Sequence, residues 1–498
     1  MSAAATEPLA GLLAGKAGYV TETHDGVVSI RGVLYGERLD PLDRFSALGD
    51  PSPERPQAAA TVFPQSPGSL DWLIGPAVSR MPQSEDSFLL DIWAPEGAKD
   101  LPVLVFLPGG AFISGAGNVR WYDGARLARE GGAVVVTVNY RLGALGLLDG
   151  GADLGPRNLA AGDILQALTW IHRNIAAFGG DPGATTLAGH SAGAWYAYVL
   201  SFAARARGLF NRTALFSLPW QPPLNTAEFA DRSKLFAAAL GAAGGAGGGA
   251  VGGSPESAAT AGEILAAQDA VSKAYAGRGL GLMPAADGDL VPSWAMDFEA
   301  AAAEMHVDAL LLSSTDDEAA AFLHALPVQA VGPEQLAGFV GAHFAAAEAK
   351  SFIEARHPGA TDHTKLVEAM SLHQFRLAAT ELAGRAGLAG IPATLLRFSV
   401  RSRLDGAGSP HCFDLPFLFG NRADWQDAPM LEGFPCDVFD SVSNRLRPLL
   451  LGFVADGVAR THDGRPVPSF DPKRPALYSV GETGSRTAGV EPELRPRR

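Results

Sequence analysis

The sequence predicts an α/β fold, with a mostly parallel central sheet that carries helices on both faces. Two observations predict it. Short apolar runs, several rich in β-branched residues and bounded by Gly or Pro, alternate along the chain with helical patterns. Strand, helix and strand in succession are typical of a parallel sheet covered on both sides. The predicted buried strands are residues 88–93, 102–107, 133–138, 185–188, 309–313 and 393–398.

The clearest helical pattern covers residues 163–178. Its apolar residues recur at helical spacing and define one face, which consists of Ile164, Leu165, Leu168, Ile171 and Ile175. An acidic residue, Asp163, stands where the pattern begins, and two glycines follow its end. We therefore expect a helix that opens at Asp163 and packs its apolar face on the sheet.

Composition excludes several kinds of partner. The 498 residues include 39 Lys and Arg against 53 Asp and Glu, a formal net charge of −14. An acidic surface repels phosphate backbones and anionic lipid headgroups, so we expect no nucleic acid and no membrane surface as a partner. No apolar run is long enough to cross a bilayer, so we expect no membrane insertion. With 47% hydrophobic and 18% charged residues, the chain has the composition of a folded protein.

Cysteine usage and the N-terminal sequence favour a cytoplasmic location. Cys412 and Cys436 are too few for a disulfide framework and form no Cys-x-x-Cys pair. Glu7 lies where a secretory signal would carry Lys or Arg. No clustered metal-ligand spacing appears, so we expect no metal and no organic cofactor.

We expect a single domain over residues 20–480. No internal repeat is visible, which excludes solenoids and propellers. Two regions rich in Ala and helix-forming residues, 219–284 and 326–388, are interpreted as insertions that shape the entrance to the functional site.

Three further stretches are predicted to be loose. Residues 241–253 contain eight glycines, which predicts a flexible surface insertion. Residues 1–19 and 481–498 are expected to be loose termini.

The pentapeptide Gly-His-Ser-Ala-Gly at 189–193 is the strongest catalytic signal. It follows a predicted strand and precedes a helix-compatible segment, which is the context of a nucleophile elbow. Small flanking residues let the backbone turn sharply enough to expose the hydroxyl of Ser191. The amide of Ala192, at the start of the helix, would stabilise negative charge on an attacked carbonyl oxygen. The alternative for the pentapeptide alone is a Gly-Ser turn.

A glycine-rich loop after the predicted strand 102–107 supplies the second candidate element. Adjacent small residues there allow backbone amides to approach a ligand atom closely. Gly110 and Ala111 are therefore candidate oxyanion donors together with Ala192. The alternative is a glycine-rich β-turn without a catalytic role.

Taken together, the motifs resemble those of type B carboxylesterases, the α/β-hydrolase family that includes cholinesterases and bacterial p-nitrobenzyl esterases. Residues 84–95, Ser-Glu-Asp-Ser-Phe-Leu-Leu-Asp-Ile-Trp-Ala-Pro, resemble the family's S-E-D-C-L-x-L-N-V-W-x-P block. Residues 139–146 and 174–182 resemble two further blocks that lead to the elbow. The resemblance runs over most of the chain and implies an α/β-hydrolase fold.

The resemblance also implies the acid and the base of a catalytic triad. Residues 315–319 are similar to the family's N-x-D-E-G block, which makes Glu318 the acid, and residues 409–420 are similar to the block that carries the histidine, here His411. The residues by themselves do not choose between Glu318 and its neighbours Asp316 and Asp317. The chain order Ser191, Glu318, His411 is that of α/β-hydrolases.

The sequence departs from the family pattern at four positions. Ser87 replaces a frequent Cys, which removes an early disulfide, and His190 replaces the Glu of the common G-E-S-A-G elbow. Pro108 precedes the glycines where His or Tyr is usual. Ala111 replaces the third Gly, so it would be strained if that position needs positive φ.

The expected function is that of a serine carboxylesterase that hydrolyses a small-molecule ester through an acyl-enzyme intermediate. The alternatives are a non-catalytic binding or adhesion homologue and an acyltransferase with the same triad. Phe112, Trp195 and Phe413 flank the motifs and are candidates to line an apolar substrate pocket, with core packing as the alternative. The natural ester and the oligomeric state are left open.

Overall fold

The computed structural model describes residues 19–52, 54–148, 157–243, 259–324, 330–491 and 494. The strands of this part of the chain are β1 (Glu22–His24), β2 (Val27–Leu34), β3 (Leu89–Pro95), β4 (Leu101–Leu107), β5 (Val134–Val138), β6 (Gly180–His190), β7 (Arg212–Phe216), β8 (Ala309–Thr315), β9 (Ala393–Phe398), β10 (Ala476–Val480) and β11 (Ser485–Gly489). They form one sheet of order β1-β2-β3-β5-β4-β6-β7-β8-β9-β10-β11. The pairs from β5 to β10 are parallel, and the pairs at the two margins are antiparallel.

The predicted mostly parallel sheet is therefore confirmed, and the six predicted strands correspond to β3, β4, β5, β6, β8 and β9. The helices are α1 (Asp71–Ile74), α2 (Ala125–Gly131), α3 (Gly143–Leu147), α4 (Leu159–Asn174), α5 (Ala192–Leu200), α6 (Thr226–Ala243), α7 (Ala261–Ala274), α8 (Phe298–Glu304), α9 (Ala320–Leu323), α10 (Pro333–His343), α11 (Ala346–Arg356), α12 (Asp362–Ser371), α13 (Leu377–Leu388), α14 (Leu415–Phe419) and α15 (Cys436–Asp456). A π-helical turn, Leu372–Arg376, joins α12 to α13. Every helix in the described residues is too short or too polar to cross a bilayer.

Helices cover the sheet on both faces, because the side chains of each central strand alternate between two cores. From β4, Val103, Val105 and Leu107 pack in a core that includes residues of α4 and α5. Leu104 and Phe106 face the opposite side and pack with residues of α2, α14 and α15. Complete burial of such a side chain contributes about 1.5–3 kcal/mol, so both layers hold the strand ends in place.

The predicted start of the long helix is wrong. Helix α4 begins at Leu159, one turn before Asp163, and a 3₁₀ turn at Ile175–Phe178 continues it to the two glycines. Asp163 is completely buried and forms an ion pair with Arg141, with 2.5 Å between Arg141 Nη2 and Asp163 Oδ1. Its carboxylate is therefore a partner for a buried guanidinium and does not cap the helix.

The predicted loose C-terminus is also wrong over part of its length. Ser485–Gly489 form β11, which pairs with β10 through a turn in which the Gly481 N–H donates to the Gly484 carbonyl at 2.8 Å. A short edge strand that lacks a buried face carries no apolar periodicity, which explains why the sequence did not predict it. Residues 1–18, 492–493 and 495–498 of the predicted loose termini lie outside the described residues.

Both predicted insertions contain helices. Region 219–284 holds α6 and α7, and region 326–388 holds α10 to α13 with the π-helical turn. Of the glycine-rich stretch 241–253, the first three residues end α6, and the others lie outside the described residues.

The buried pair of Arg141 and Asp163 predicts a large loss of stability when it is broken. Arg141 is 2% exposed and also donates to the carbonyls of Arg44 and Ser46. We expect Asp163→Asn to lower the free energy of unfolding in urea by about 3–5 kcal/mol, because the guanidinium stays buried without its counter-charge.

Asp50→Asn is the matched control, because Asp50 pairs with Arg173 at the surface, where the two side chains are 67% and 60% exposed. We expect this control to change the unfolding free energy by less than about 1 kcal/mol. Equal effects of the two substitutions would contradict the structural role of the buried pair.

Candidate active site

The structure places Ser191 at the sharp turn between β6 and α5 that the pentapeptide predicts. Its φ is +54° and its ψ is −120°, a conformation that residues with a side chain rarely adopt. The Ser191 N–H donates to the Phe216 carbonyl of β7 at 2.9 Å, and the Ser191 carbonyl accepts from the Trp195 N–H at 2.9 Å. Neighbouring elements thus hold the strained residue from both sides.

Two glycines of the pentapeptide are required by close backbone contacts. A Cβ atom on Gly189 would lie 2.4 Å from the Gly193 carbonyl carbon, and a Cβ on Gly193 would lie 2.2 Å from the Leu107 carbonyl oxygen. The second contact joins the start of α5 to the end of β4. It therefore brings the glycine-rich loop against the elbow.

The glycine-rich loop after β4 contains three consecutive residues with positive φ: Gly110 at +133°, Ala111 at +52° and Phe112 at +67°. A Cβ on Gly110 would lie 1.9 Å from the Ser114 carbonyl oxygen, so this position requires glycine. Ala111 adopts the left-handed conformation that the sequence identified as a source of strain, at a cost of about 1–2 kcal/mol.

Hydrogen bonds fix the same loop beside Ser191. The Tyr140 hydroxyl donates to the Pro108 carbonyl at 2.6 Å, and the Gly143 N–H donates to the Phe112 carbonyl at 2.8 Å. A Cβ on Gly109 would lie 2.9 Å from the Cβ of Ser191, which shows how close the loop and Ser191 are. The amides of Gly110, Ala111 and Ala192 thus belong to two segments that meet at Ser191.

Glu318 lies three residues beyond β8 and is completely buried. Its Oε1 accepts from the Ser217 hydroxyl at 2.7 Å and from the Thr315 N–H at 2.8 Å. Its Oε2 lies 2.5 Å from His411 Nδ1. One carboxylate oxygen is therefore held by donors, and the other orients the imidazole, whose Nε2 remains for proton transfer.

The structure distinguishes Glu318 from the two acids that precede it. Asp316 faces Arg397 at 3.5 Å, and Asp317 accepts from the Ser409 N–H at 2.9 Å. Burial raises the pKa of Asp317, while the Ser409 hydrogen bond and nearby arginine charges oppose that rise. Of these three acids, Glu318 is the one that contacts the His411 ring.

The candidate residues gather at one edge because their strands are neighbours. Ser191, Ser217, Glu318 and His411 follow β6, β7, β8 and β9 respectively, and these strands are adjacent and parallel. The ring of His190, which precedes Ser191, lies 4.6 Å from the ring of His411. Ser217 was missed by sequence reasoning because β7 itself was not predicted.

The aromatic rings that contact His411 are not those of the three pocket candidates. Phe112, Trp195 and Phe413 are 2%, 0% and 0% exposed and pack in the two cores, which favours the core-packing alternative for them. Phe322 and Phe375 instead contact the His411 ring, with centroids 5.0 Å and 5.3 Å away. Phe322 is 44% exposed and thus presents an apolar surface beside His411.

Cys412 completes a compact group with His190 and His411, whose potential metal-ligand atoms lie within 4.8 Å of one another. Burial, together with the charges of Asp414 and Glu318, raises the pKa of the Cys412 thiol well above its ordinary value. Metals bind the thiolate, which this environment disfavours, and His411 Nδ1 already faces Glu318. The donor set does not fit a resident metal.

Comparison with known proteins agrees with the geometry. The family model described as the carboxylesterase family matches residues 3–488. A phenmedipham hydrolase of Pseudarthrobacter oxydans is 30% identical over 497 residues, which cover 97% of each chain. A para-nitrobenzyl esterase of Bacillus subtilis is 34% identical over 223 residues, which cover 44% of this chain and 45% of the other. The crystal structure of a Geobacillus stearothermophilus carboxylesterase superposes with a TM-score of 0.79 at 24% identity, over 94% and 95% of the two chains.

This structural likeness confirms the α/β-hydrolase fold that the sequence motifs implied.

The hydrogen bond from Ser217 to Glu318 predicts a measurable contribution to stability. We expect Ser217→Ala to lower the free energy of unfolding by about 1.5–3 kcal/mol, because a fully buried carboxylate loses a donor. Urea denaturation measures the difference.

Ser66→Ala is the matched control, since the Ser66 hydroxyl donates to Asp269 at the surface at 3.2 Å. We expect it to change stability by less than about 0.5 kcal/mol. A Ser217→Ala protein as stable as the control would show that Glu318 does not depend on this donor.

Proposed function

The chain belongs to the carboxylesterase family and is a carboxylic ester hydrolase, and on that premise we propose that Ser191, His411 and Glu318 are its nucleophile, base and acid. The observation that carries the assignment is the 2.5 Å contact between His411 Nδ1 and the fully buried Glu318, at the sheet edge where the strained Ser191 lies. Serine, base and orienting acid in this arrangement are the requirements of nucleophilic acyl transfer.

In the first half-reaction, His411 Nε2 takes the Ser191 Oγ proton while the oxygen attacks the ester carbonyl carbon. Glu318 holds the imidazole through Nδ1 and stabilises the imidazolium that forms. The carbonyl oxygen becomes negatively charged, and the amides of Gly110, Ala111 and Ala192 donate to it. These donors are preorganised, since the strained loop and the helix start are fixed before substrate binds.

The imidazolium then returns its proton to the alcohol oxygen as the carbon–oxygen bond of the ester breaks, which completes the first half-reaction and leaves the acyl-enzyme. In the second half-reaction a water molecule attacks the acyl carbon while His411 takes its proton, and the imidazolium returns that proton to Ser191 Oγ as the bond from Oγ to the acyl carbon breaks. The products are the free acid and the alcohol, and Ser191 is regenerated.

The surroundings of His411 support a small-molecule ester with an apolar group as substrate. Phe322 and Phe375 form an apolar wall beside the imidazole, and the exposure of Phe322 leaves part of this wall open to a ligand. An apolar substituent placed there is removed from water on binding, which contributes about 25 cal/mol per Å².

A cytoplasmic, reducing environment is proposed for the enzyme. Cys412 and Cys436 are both free thiols, one buried and one exposed. An exposed free thiol is compatible with a reducing compartment, where thiols are kept from oxidation.

The triad assignment predicts a steep hierarchy of activity losses with p-nitrophenyl acetate. We expect Ser191→Ala to lower kcat by about 10⁴- to 10⁶-fold and Glu318→Gln by about 10⁴-fold. Asp317→Asn is the matched control, because Asp317 is a neighbouring carboxyl that does not contact His411. We expect it to retain activity within about tenfold.

Equal losses in Asp317→Asn and Glu318→Gln would reject Glu318 as the acid. Unchanged release of p-nitrophenol by Ser191→Ala would reject the mechanism and favour a binding role for the site. Transfer of the acyl group to an added alcohol in preference to water would favour an acyltransferase.

The loop geometry predicts opposite outcomes at two adjacent positions. We expect Gly110→Ala to lower kcat by about 10²- to 10³-fold, since its Cβ would collide with the Ser114 carbonyl and displace an oxyanion donor. Ala111→Gly should keep kcat within about threefold and should not lower the melting temperature, because glycine relieves the positive φ. A large kcat loss in Ala111→Gly would mean that the alanine side chain itself is required.

A further inference from the structure

A second pair of titratable side chains lies directly behind the proposed triad. His190 is the last residue of β6 and precedes Ser191, while Asp414 lies three residues beyond His411 at the start of α14. His190 is 1% exposed and Asp414 is completely buried. His190 Nε2 lies 3.8 Å from Asp414 Oδ1.

Within the described part of the chain, the facing atoms of this pair lack hydrogen-bond partners. Neither carboxylate oxygen of Asp414 nor Nε2 of His190 has one of standard geometry, and the amides of Asp414 and Leu415 make only weaker contacts with that carboxylate. Burying polar atoms without partners destabilises the folded protein, so such atoms usually have a functional reason. Here the unpartnered atoms face each other across a gap that a small shift or one water molecule would close.

His190 also touches the other parts of the site. Its ring lies 4.6 Å from the His411 ring, at an angle of 53°. A Cβ on Gly109 would lie 3.3 Å from His190 Nδ1, so the ring edge borders the oxyanion loop. One imidazole thus lies between Asp414, His411 and that loop.

The surroundings shift the pKa values of His190 and Asp414 in opposite directions. Burial, and then the charge of His411, lowers the pKa of His190 well below its ordinary value, so His190 is neutral. Burial, and then the charge of Glu318, raises the pKa of Asp414 to about 7, with partial opposition from the backbone amides of Asp414 and Leu415. Asp414 therefore changes charge in the range where an esterase works.

The groups that face Asp414 from neighbouring elements are His190, Glu318, Cys412 and Tyr122. Burial raises the pKa of the Cys412 thiol and of the Tyr122 hydroxyl well above their ordinary values, so both are neutral near pH 7. Asp414 is thus the group of this set whose pKa lies near 7.

We propose that Asp414 acts as a second acid behind the triad and that neutral His190 couples it to His411, so that ionised Asp414 stabilises the imidazolium formed when His411 takes the Ser191 proton. This inference rests on the proposed triad. Asp414 and His190 are positioning residues, because they act on the base and not on the substrate. The coupling is a hydrogen bond between His190 and Asp414, direct or through one water, which fixes the ring that packs on His411.

The variant Asp414→Asn tests this inference, because asparagine resembles the protonated carboxyl and cannot ionise. We expect the ratio of wild-type to variant kcat/KM for p-nitrophenyl acetate to be near 1 at about pH 6 and about tenfold at about pH 9, because only the wild type gains a negative charge. The midpoint of the change should lie at about pH 7. A purely structural role would give a ratio that does not vary with pH.

Asp414→Glu keeps an ionisable carboxyl, so we expect its kcat/KM to show most of the rise with pH that the wild type shows relative to Asp414→Asn. Asp424→Asn is the control, because burial also raises the pKa of Asp424, which lies outside the site. We expect the ratio of wild-type to Asp424→Asn kcat/KM not to vary with pH.

His190→Phe keeps an aromatic ring without nitrogen and tests the coupling. We expect it to reduce the same pH-dependent gain, and we expect the double variant with Asp414→Asn to be no worse than the more impaired single variant. If circular dichroism shows that Asp414→Asn does not fold, His190→Phe and Asp414→Glu carry the test.

A flat ratio for Asp414→Asn, or additive losses in the double variant, would overturn the inference. If Asp414→Asn does not fold, a pH profile of His190→Phe identical to that of the wild type would overturn the inference. Either result leaves the proposed triad intact, since that assignment depends on the losses in Ser191→Ala and Glu318→Gln.

Discussion

The close contact between the loop after β4 and the elbow after β6 is the constraint on which the site depends. A side chain at Gly109 would meet Ser191, and one at Gly193 would meet the carbonyl of Leu107. Only backbones without side chains at these two positions can approach so closely. The contact brings the amides of the loop and of the helix start to the same side of Ser191. The ring of His190 borders both this loop and the ring of His411.

The loop after β8, residues 316–319, carries Glu318 as the proposed acid and is called the acid loop; a different kind of interaction holds it. Ala319 donates its N–H to the Ser371 hydroxyl, which binds the loop to the end of α12. Asp316 faces Arg397, a guanidinium that also pairs with Glu491 at 2.7 Å. Charged groups buried to this degree are stable only when they are paired. The segment after β11 therefore supports the acid loop, although it lies far from Glu318 in sequence.

Features that depend on local backbone requirements could be predicted from the sequence. The elbow could be identified because small residues must flank Ser191 at so sharp a turn, and Gly189 meets the Gly193 backbone within the same pentapeptide. The central strands could be identified because each is apolar on both faces. Asp163 was misread as a cap, since its true partner, Arg141, is reached only through the fold.

Ser217 and Phe322 illustrate the remaining limit. Neither residue belongs to a motif. Ser217 contacts Glu318, and Phe322 contacts His411, only because the folded sheet brings their loops together. A single sequence carries no signal for such a contact, because the contact depends on the order of the strands.

Backbone strain identifies the same edge without any reference to motifs. In the described part of the chain, eight non-glycine residues have positive φ, and five of them are Ala111, Phe112, Ser191, Ser217 and Cys412. Each such residue costs on the order of 1–3 kcal/mol and persists only where the surroundings fix it. Two large cores provide that support from both faces of the sheet. Because these residues come from four separate loops, a common local sequence cannot explain their strain. Holding the proposed oxyanion donors, the proposed nucleophile, the hydroxyl that donates to Glu318 and the segment that carries His411 in one place does explain it.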